Sequence, residues 1–164
     1  MSFQKQVNAN QALGNVGQIS KAHHSFLNVI PAIAADDFVK VGSFVQSTAT
    51  ATNENEVVGA SGKQITGSIL GVVVRDSLKV AGDSTPTLEV KKGENCAILT
   101  EGSIFIEVNA IAKKGKYVML KTDDGALGFY DSSTQSGYTY TGFRVSKGNE
   151  TAVRGIIEIT TARA

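Results

Sequence analysis

The stretch from Leu88 to Leu120 constrains the fold more than any other part of the chain. It breaks into short apolar runs separated by Lys91-Lys92-Gly93, Thr100-Glu101-Gly102 and Lys113-Lys114-Gly115. Each run is too short for an ordinary helix and rich in Val, Ile and Phe, and each break carries a glycine able to take positive φ. The pattern predicts strand, turn, strand, turn, strand: a β meander. In its middle strand Ile104, Ile106 and Val108 fall on one face and Phe105, Glu107 and Asn109 on the other, so one face faces a core while the other stays partly wet.

Similar units recur along the rest of the chain. Residues 38–45 read as a strand-pair region entered through the turn Asp36-Asp37, and the low-complexity segment 47–56 separates it from Val57-Val58. Ile69–Arg75 is almost continuously apolar, as expected of a strand covered on both faces, and Gly71 within it marks a bulge or a close backbone approach. Asp83–Thr87 is a loop, and Asp123-Asp124-Gly125 turns a hairpin between Val118–Leu120 and Leu127–Tyr130. The polar loop 131–137 leads to an alternating strand, Tyr138–Val145, and Ala152–Ile159 closes the series. Short strands with glycine-bearing turns at spacings of about ten residues predict an all-β body, a small antiparallel β-barrel or sandwich. Any helix would be short, around Ala32–Asp37.

Residues 1–28 differ from this body. Gln, Asn, Ala, Ser and Gly dominate, and apolar residues appear singly at Phe3, Val7, Leu13, Val16 and Ile19. No periodicity is sustained, so an extended N-terminal arm over 1–28 precedes a single domain over 29–164. A chain of 164 residues suits that organisation.

Several chemistries lack a basis. Net charge is +1 and the pI is near 7.8, and the Lys-Lys pairs are flanked by Glu89, Glu94 and Glu107, so nothing favours nucleic acid. Aromatic residues are 7% of the chain with no Trp, which leaves little stacking surface for single strands. No apolar segment reaches the length of a signal peptide core or a membrane helix, so the expectation is a soluble protein made in the cytosol. The single cysteine, Cys96, excludes an intramolecular disulfide and sits in an apolar run where a small buried side chain fits better than a nucleophile. His23 and His24 are adjacent and point apart on an extended chain, and no other ligands support a metal site. Asp36-Asp37 and Asp123-Asp124 are explained by turns, and Gly59–Gln64 lacks the spacing and following helix of a phosphate loop. No nucleophile has a base within the body. The reading is therefore not an enzyme, with no cofactor and no metal. An arm on a small β body suits binding to a surface, which is the work of an assembly protein.

The order of residues also resembles a known family. Met1–Val7, Asp37–Val45, Gly67–Arg75, and Val90-x-x-Gly93 with Ile98–Ile106 resemble the structural cement proteins that decorate the capsids of tailed bacteriophages, along most of the chain. The loops 47–56 and 131–138 depart from that pattern. The resemblance implies a β-barrel or jelly-roll-like (tulip-like) body on the outer surface of the virion, made in the host cytoplasm. It would bridge subunits of the major capsid protein to stabilise the expanded shell, as a small homo-oligomer, a dimer or trimer, with no nucleic-acid or membrane partner. Phe3, Val7, Leu13 and Val16, isolated apolar residues in a polar tract, would anchor the arm to the capsid. The alternative from another class is a carbohydrate- or receptor-binding module of a fibre or tail, with Phe129, Tyr130, Tyr138 and Tyr140 as a sugar platform; the same residues also suit strand core and cross-strand pairs.

Overall fold

The computed structural model of the chain describes residues 14–20, 27–48, 54–75, 88–149 and 154–161. The strands are β1 (Asn28–Ala34), β2 (Val39–Lys40), β3 (Phe44–Ser47), β4 (Glu56–Gly59), β5 (Ile69–Val73) and β6 (Glu89–Val90). They continue with β7 (Asn95–Glu101), β8 (Ser103–Val108), β9 (Tyr117–Lys121), β10 (Leu127–Tyr130), β11 (Tyr138–Lys147) and β12 (Gly155–Thr161). Among the described residues there is no helix: Ala32–Ala34 belong to β1, and Asp36 forms a turn in which its carboxylate accepts from the amide of Phe38 at 3.1 Å. The short helix expected around Ala32–Asp37 is therefore a strand end and a turn.

The all-β body has two parts. Strands β1-β4-β3-β5-β7 close a barrel, and β10-β9-β11-β12-β8 form a five-stranded sheet, with the small pair β2-β6 beside them. Pairing is antiparallel except for β1 with β4, which run parallel through Ile33↔Glu56 and Ala34↔Val57.

The strands expected in Leu88–Leu120 form, but the meander does not. β7 pairs with β1 and β5 in the barrel, β8 pairs with β12, and β9 lies between β10 and β11. The cause is the connection between β7 and β8, which is Gly102 alone. One residue cannot reverse a chain into a hairpin, which takes at least about two. At φ 132° Gly102 instead bends the strand out of the barrel and into the sheet. The hairpin from β9 to β10 through Asp123-Asp124-Gly125 forms as expected, pairing Leu127 with Leu120 and Tyr130 with Tyr117.

Neighbouring residues on three barrel strands serve two cores. Val45, Val73 and Ile98 point into the barrel with Ala32, Ala34, Val39, Val57 and Val90. Phe44, Val72 and Leu99 point outward, against Ile104, Ile106, Val118, Leu120, Phe143, Val145, Ile157 and Ile159 on the inner face of the sheet. The barrel lumen of five strands is narrow, so Ala and Val fill it. The wider layer outside takes the larger side chains, including the edge-to-face pair Phe44–Phe143 with centroids 5.7 Å apart. Gly71 sits where β5 crosses β7, and a Cβ there would lie 2.1 Å from the carbonyl oxygen of Leu99. The register also shifts between Val45 and Gln46, opposite this part of β5.

Residues 14–20 lie against this body. Gly17 and Ser20 donate to the carbonyls of Phe105 and Ser103, both at 2.8 Å, and Phe105 donates back to Gln18 at 3.1 Å. On the other side Arg75, just past β5, donates to Gly17 at 2.8 Å. The segment thus covers the edge of β8 and ties it to the barrel, with Ile19 packed on the larger core.

Two buried polar side chains are held by specific partners. The Gln46 oxygen accepts from the amides of Thr66 at 2.9 Å and Gly67 at 3.0 Å, and its nitrogen donates to Gln64, which fixes the loop before β5. Glu158 is fully buried; Ser146 donates to one carboxylate oxygen at 2.9 Å, and the other lies 3.2 Å from Lys147 Nζ without a well-directed hydrogen bond. That second contact is ionic, and Lys147 supplies the neutralising charge from a half-exposed position.

Two predictions follow from these contacts. Gly71→Ala is expected to cost about 2–3 kcal/mol by forcing β5 away from β7, read as a lower urea midpoint at unchanged slope; an unchanged midpoint would contradict the close approach. Lys147→Met strands the Glu158 carboxylate and is expected to cost about 3 kcal/mol, with most of the loss recovered in the double variant Lys147→Met/Glu158→Gln. Equal stability of the single and double variants would show that the charge is neutralised otherwise.

Candidate interaction surface

The paired carboxylates do structural work. Asp36 accepts from the amides of Phe38 and Gly59 and pairs with Lys63, whose ammonium also lies 4.4 Å from the centre of the Phe38 ring. Asp37 accepts from the amide of Lys92 at 2.9 Å. Asp124 accepts from the amide of Ala126 at 3.0 Å, a bond that holds its carboxyl below the usual range, with Lys121 adding to the effect. Gly59–Gln64 is a loop whose Gly62 amide donates to the backbone carbonyl of Asp124. Cys96 is half-buried against the barrel core. Among the described residues no group of acidic, His or Cys side chains could hold a metal ion; His23 and His24 lie outside them.

Of the four arm residues, Phe3, Val7 and Leu13 lie outside the described residues. Val16 is half-buried on its own body, so close to Gly42 that a Cβ there would come 2.3 Å from Val16 Cγ1. Farther on, Leu27 and Val29 are exposed at the start of β1, as is Phe38 before β2. Leu120, Leu127, Phe129 and Phe44 line a cleft of about 400 Å³ between sheet and barrel, together with Glu107 and Asn109.

The richest surface is the outer face of β9, β10 and β11. Alternation sends Val118 and Leu120 to the core and Tyr117, Met119 and Lys121 to the other face, where Met119 is itself buried. Register then places Tyr130 opposite Tyr117, Tyr140 opposite Met119, Tyr138 opposite Lys121, and Arg144 opposite Tyr117. All four tyrosines of the chain therefore share one face. Tyr130 and Tyr138 pack edge to face at 4.9 Å, their rings closing over Gly128, and Tyr117 and Tyr140 do the same at 5.4 Å. The Arg144 guanidinium lies 4.0 Å from the centre of the Tyr117 ring and donates to its hydroxyl. Phe129 is on the opposite side of β10, packed on the core, so the four aromatic residues considered as a sugar platform do not share a face. Tyr117 and Arg144 were missed at the sequence level. Tyr117 was legible as the residue alternating with Val118, but only the pairing of β9 with β11 brings the two together.

The face also shifts its own ionisation. The hydrogen bond with Tyr138 holds the Tyr130 phenol above its ordinary value of 10.0, and burial does the same for Tyr140, with Arg144 opposing it. Both groups hold their protons more tightly folded than unfolded. Their contribution to stability is intact below pH 10.0 and is lost as pH rises through the folded-state values. An absorbance titration of phenolate should show a late phase above pH 10 that disappears in denaturant and shrinks in Tyr130→Phe; identical titrations of native and denatured protein would contradict it.

The family model of the structural cement protein (E217 gp24/Pam3 gp6) matches residues 3–162. No curated protein matches the chain at significant similarity. Among solved structures, a chain from the capsid of Myoviridae phage XM1 is similar at 19% identity and TM-score 0.59, over 98% of this chain and 97% of that one. The N base of head fibre gp8.5 of bacteriophage phi29 is similar at 11% identity and TM-score 0.48, over 85% of this chain and 97% of that one. The first likeness shows a shared fold, and the family match over nearly the whole length shows that this chain belongs to the structural cement proteins of bacteriophages.

Proposed function

We propose that the protein binds the outside of the phage capsid and bridges subunits of the major capsid protein, stabilising the expanded shell without catalysis. The family match over residues 3–162 carries this reading. Two physical features support it. The body is built around two back-to-back cores, which suits a part that must resist deformation. The chain before Gly14 also starts from a segment pinned by hydrogen bonds to β8 and the end of β5. From that fixed point thirteen residues can span at most about 45 Å, enough to reach past the footprint of the body onto a neighbouring subunit.

On this reading Phe3, Val7 and Leu13 contact the shell, and Val16 anchors the root of the arm to its own body. A contact of about 1,200–2,000 Å² holds a subunit in place, and linkage of copies in a dimer or trimer multiplies the hold through avidity. Binding only the expanded lattice stabilises that state by mass action.

The test is co-sedimentation with undecorated heads before and after expansion, using the full chain and a truncation lacking residues 1–13. The cut stops there because residues 14–20 cover the edge of β8. The full chain is expected to saturate expanded heads alone, and the truncation to melt cooperatively yet bind at least tenfold more weakly, about 1.4 kcal/mol. Failure of the full chain to bind either form of head overturns the function; full affinity of the truncation overturns the role of the arm.

A further inference from the structure

We propose that the outer face formed by Tyr117, Tyr130, Tyr138, Tyr140 and Arg144 is a docking surface for a carboxylate-bearing patch of a capsid subunit. The inference rests on the cement reading and adds the face and the chemistry of contact. Tyr and Arg are the side chains that concentrate binding energy at protein interfaces, because they offer large area with few rotatable bonds and a polar end. Here the rings are already held edge to face, so little conformational freedom remains to be lost on docking. The rim is polar: the loop 131–137 is exposed throughout and borders the rings.

Charge identifies the partner. At the rim Lys116 pairs with Asp131 at 2.5 Å and Lys121 with Asp124 at 3.4 Å, so those cations are neutralised within the chain. Among the described residues Arg144 has no carboxylate partner. Its guanidinium rests on the ring and hydroxyl of Tyr117, and its Nε is buried without a hydrogen bond. Covering such a cation calls for a counter-charge, and a planar carboxylate matches the guanidinium fork. A second copy docking through the same face would offer Arg144 only the carboxylates of that rim, Asp131 and Asp124, which are already paired with Lys116 and Lys121. A different chain presenting Asp or Glu meets no such limit.

The experiment uses the full chain with expanded heads. Tyrosine nitration is mapped by mass spectrometry on free and head-bound protein, and head affinity is measured for Arg144→Gln and Arg144→Lys after their melting curves are checked. Nitration should be suppressed on the heads. Arg144→Gln should bind at least tenfold more weakly, with Arg144→Lys recovering part of the loss. Head binding with unprotected tyrosines and full affinity of Arg144→Gln overturns the docking face and leaves the cement reading intact, whereas no head binding by the unaltered chain removes the reading beneath it. Protection that appears in the free protein as its concentration rises, or on addition of an acidic oligosaccharide alone, also overturns the proposal, in favour of a second copy or a glycan.

Discussion

The structure depends on three strands that are buried on both sides. In β3, β5 and β7 one residue fills the barrel and the next packs against the sheet, as in Phe44 and Val45, Val72 and Val73, and Leu99 and Ile98. Neither side of these strands can be relaxed without disturbing the other core. Their backbones must also approach closely, which is why Gly71 leaves no room for a Cβ beside Leu99. The barrel and the sheet therefore form one mechanical unit although few hydrogen bonds join them.

One covalent and one hydrogen-bonded connection complete that unit. Gly102 carries the chain from the barrel into the sheet within a single residue. Residues 14–20 then bind both β8 and Arg75. An uncovered β8 would offer a row of free amides and carbonyls to other chains. The same short segment that seals this edge determines where the rest of the N-terminus begins.

Much of the fold was legible because strand-forming runs and glycine turns are local signals. The alternation in Ile104, Ile106 and Val108, the hairpin at Asp124-Gly125 and the double burial of Ile69–Arg75 all follow from adjacent residues. Which strands pair was not legible, since Gly102 reads the same in a tight turn as in a corner, and only the partners of β7 and β8 distinguish them. The extended segment around Ile19 gave no sign that it would add to a sheet, because its amides are satisfied by residues some eighty positions away. The aromatic face was half legible. Alternation in 138–140 exposed two tyrosines, but Tyr117 and Arg144 join them only through long-range register.

The confinement of every tyrosine to one side of one sheet has an optical consequence. With no tryptophan in the chain, near-ultraviolet circular dichroism arises chiefly from that side, while the barrel, walled by aliphatic side chains, contributes almost nothing to it. The far-ultraviolet signal, by contrast, averages over all the strands. Followed together during heating, the two wavelength ranges separate loosening of the outer sheet from loss of the barrel, so this small protein carries a site-resolved probe of its own cooperativity without any label.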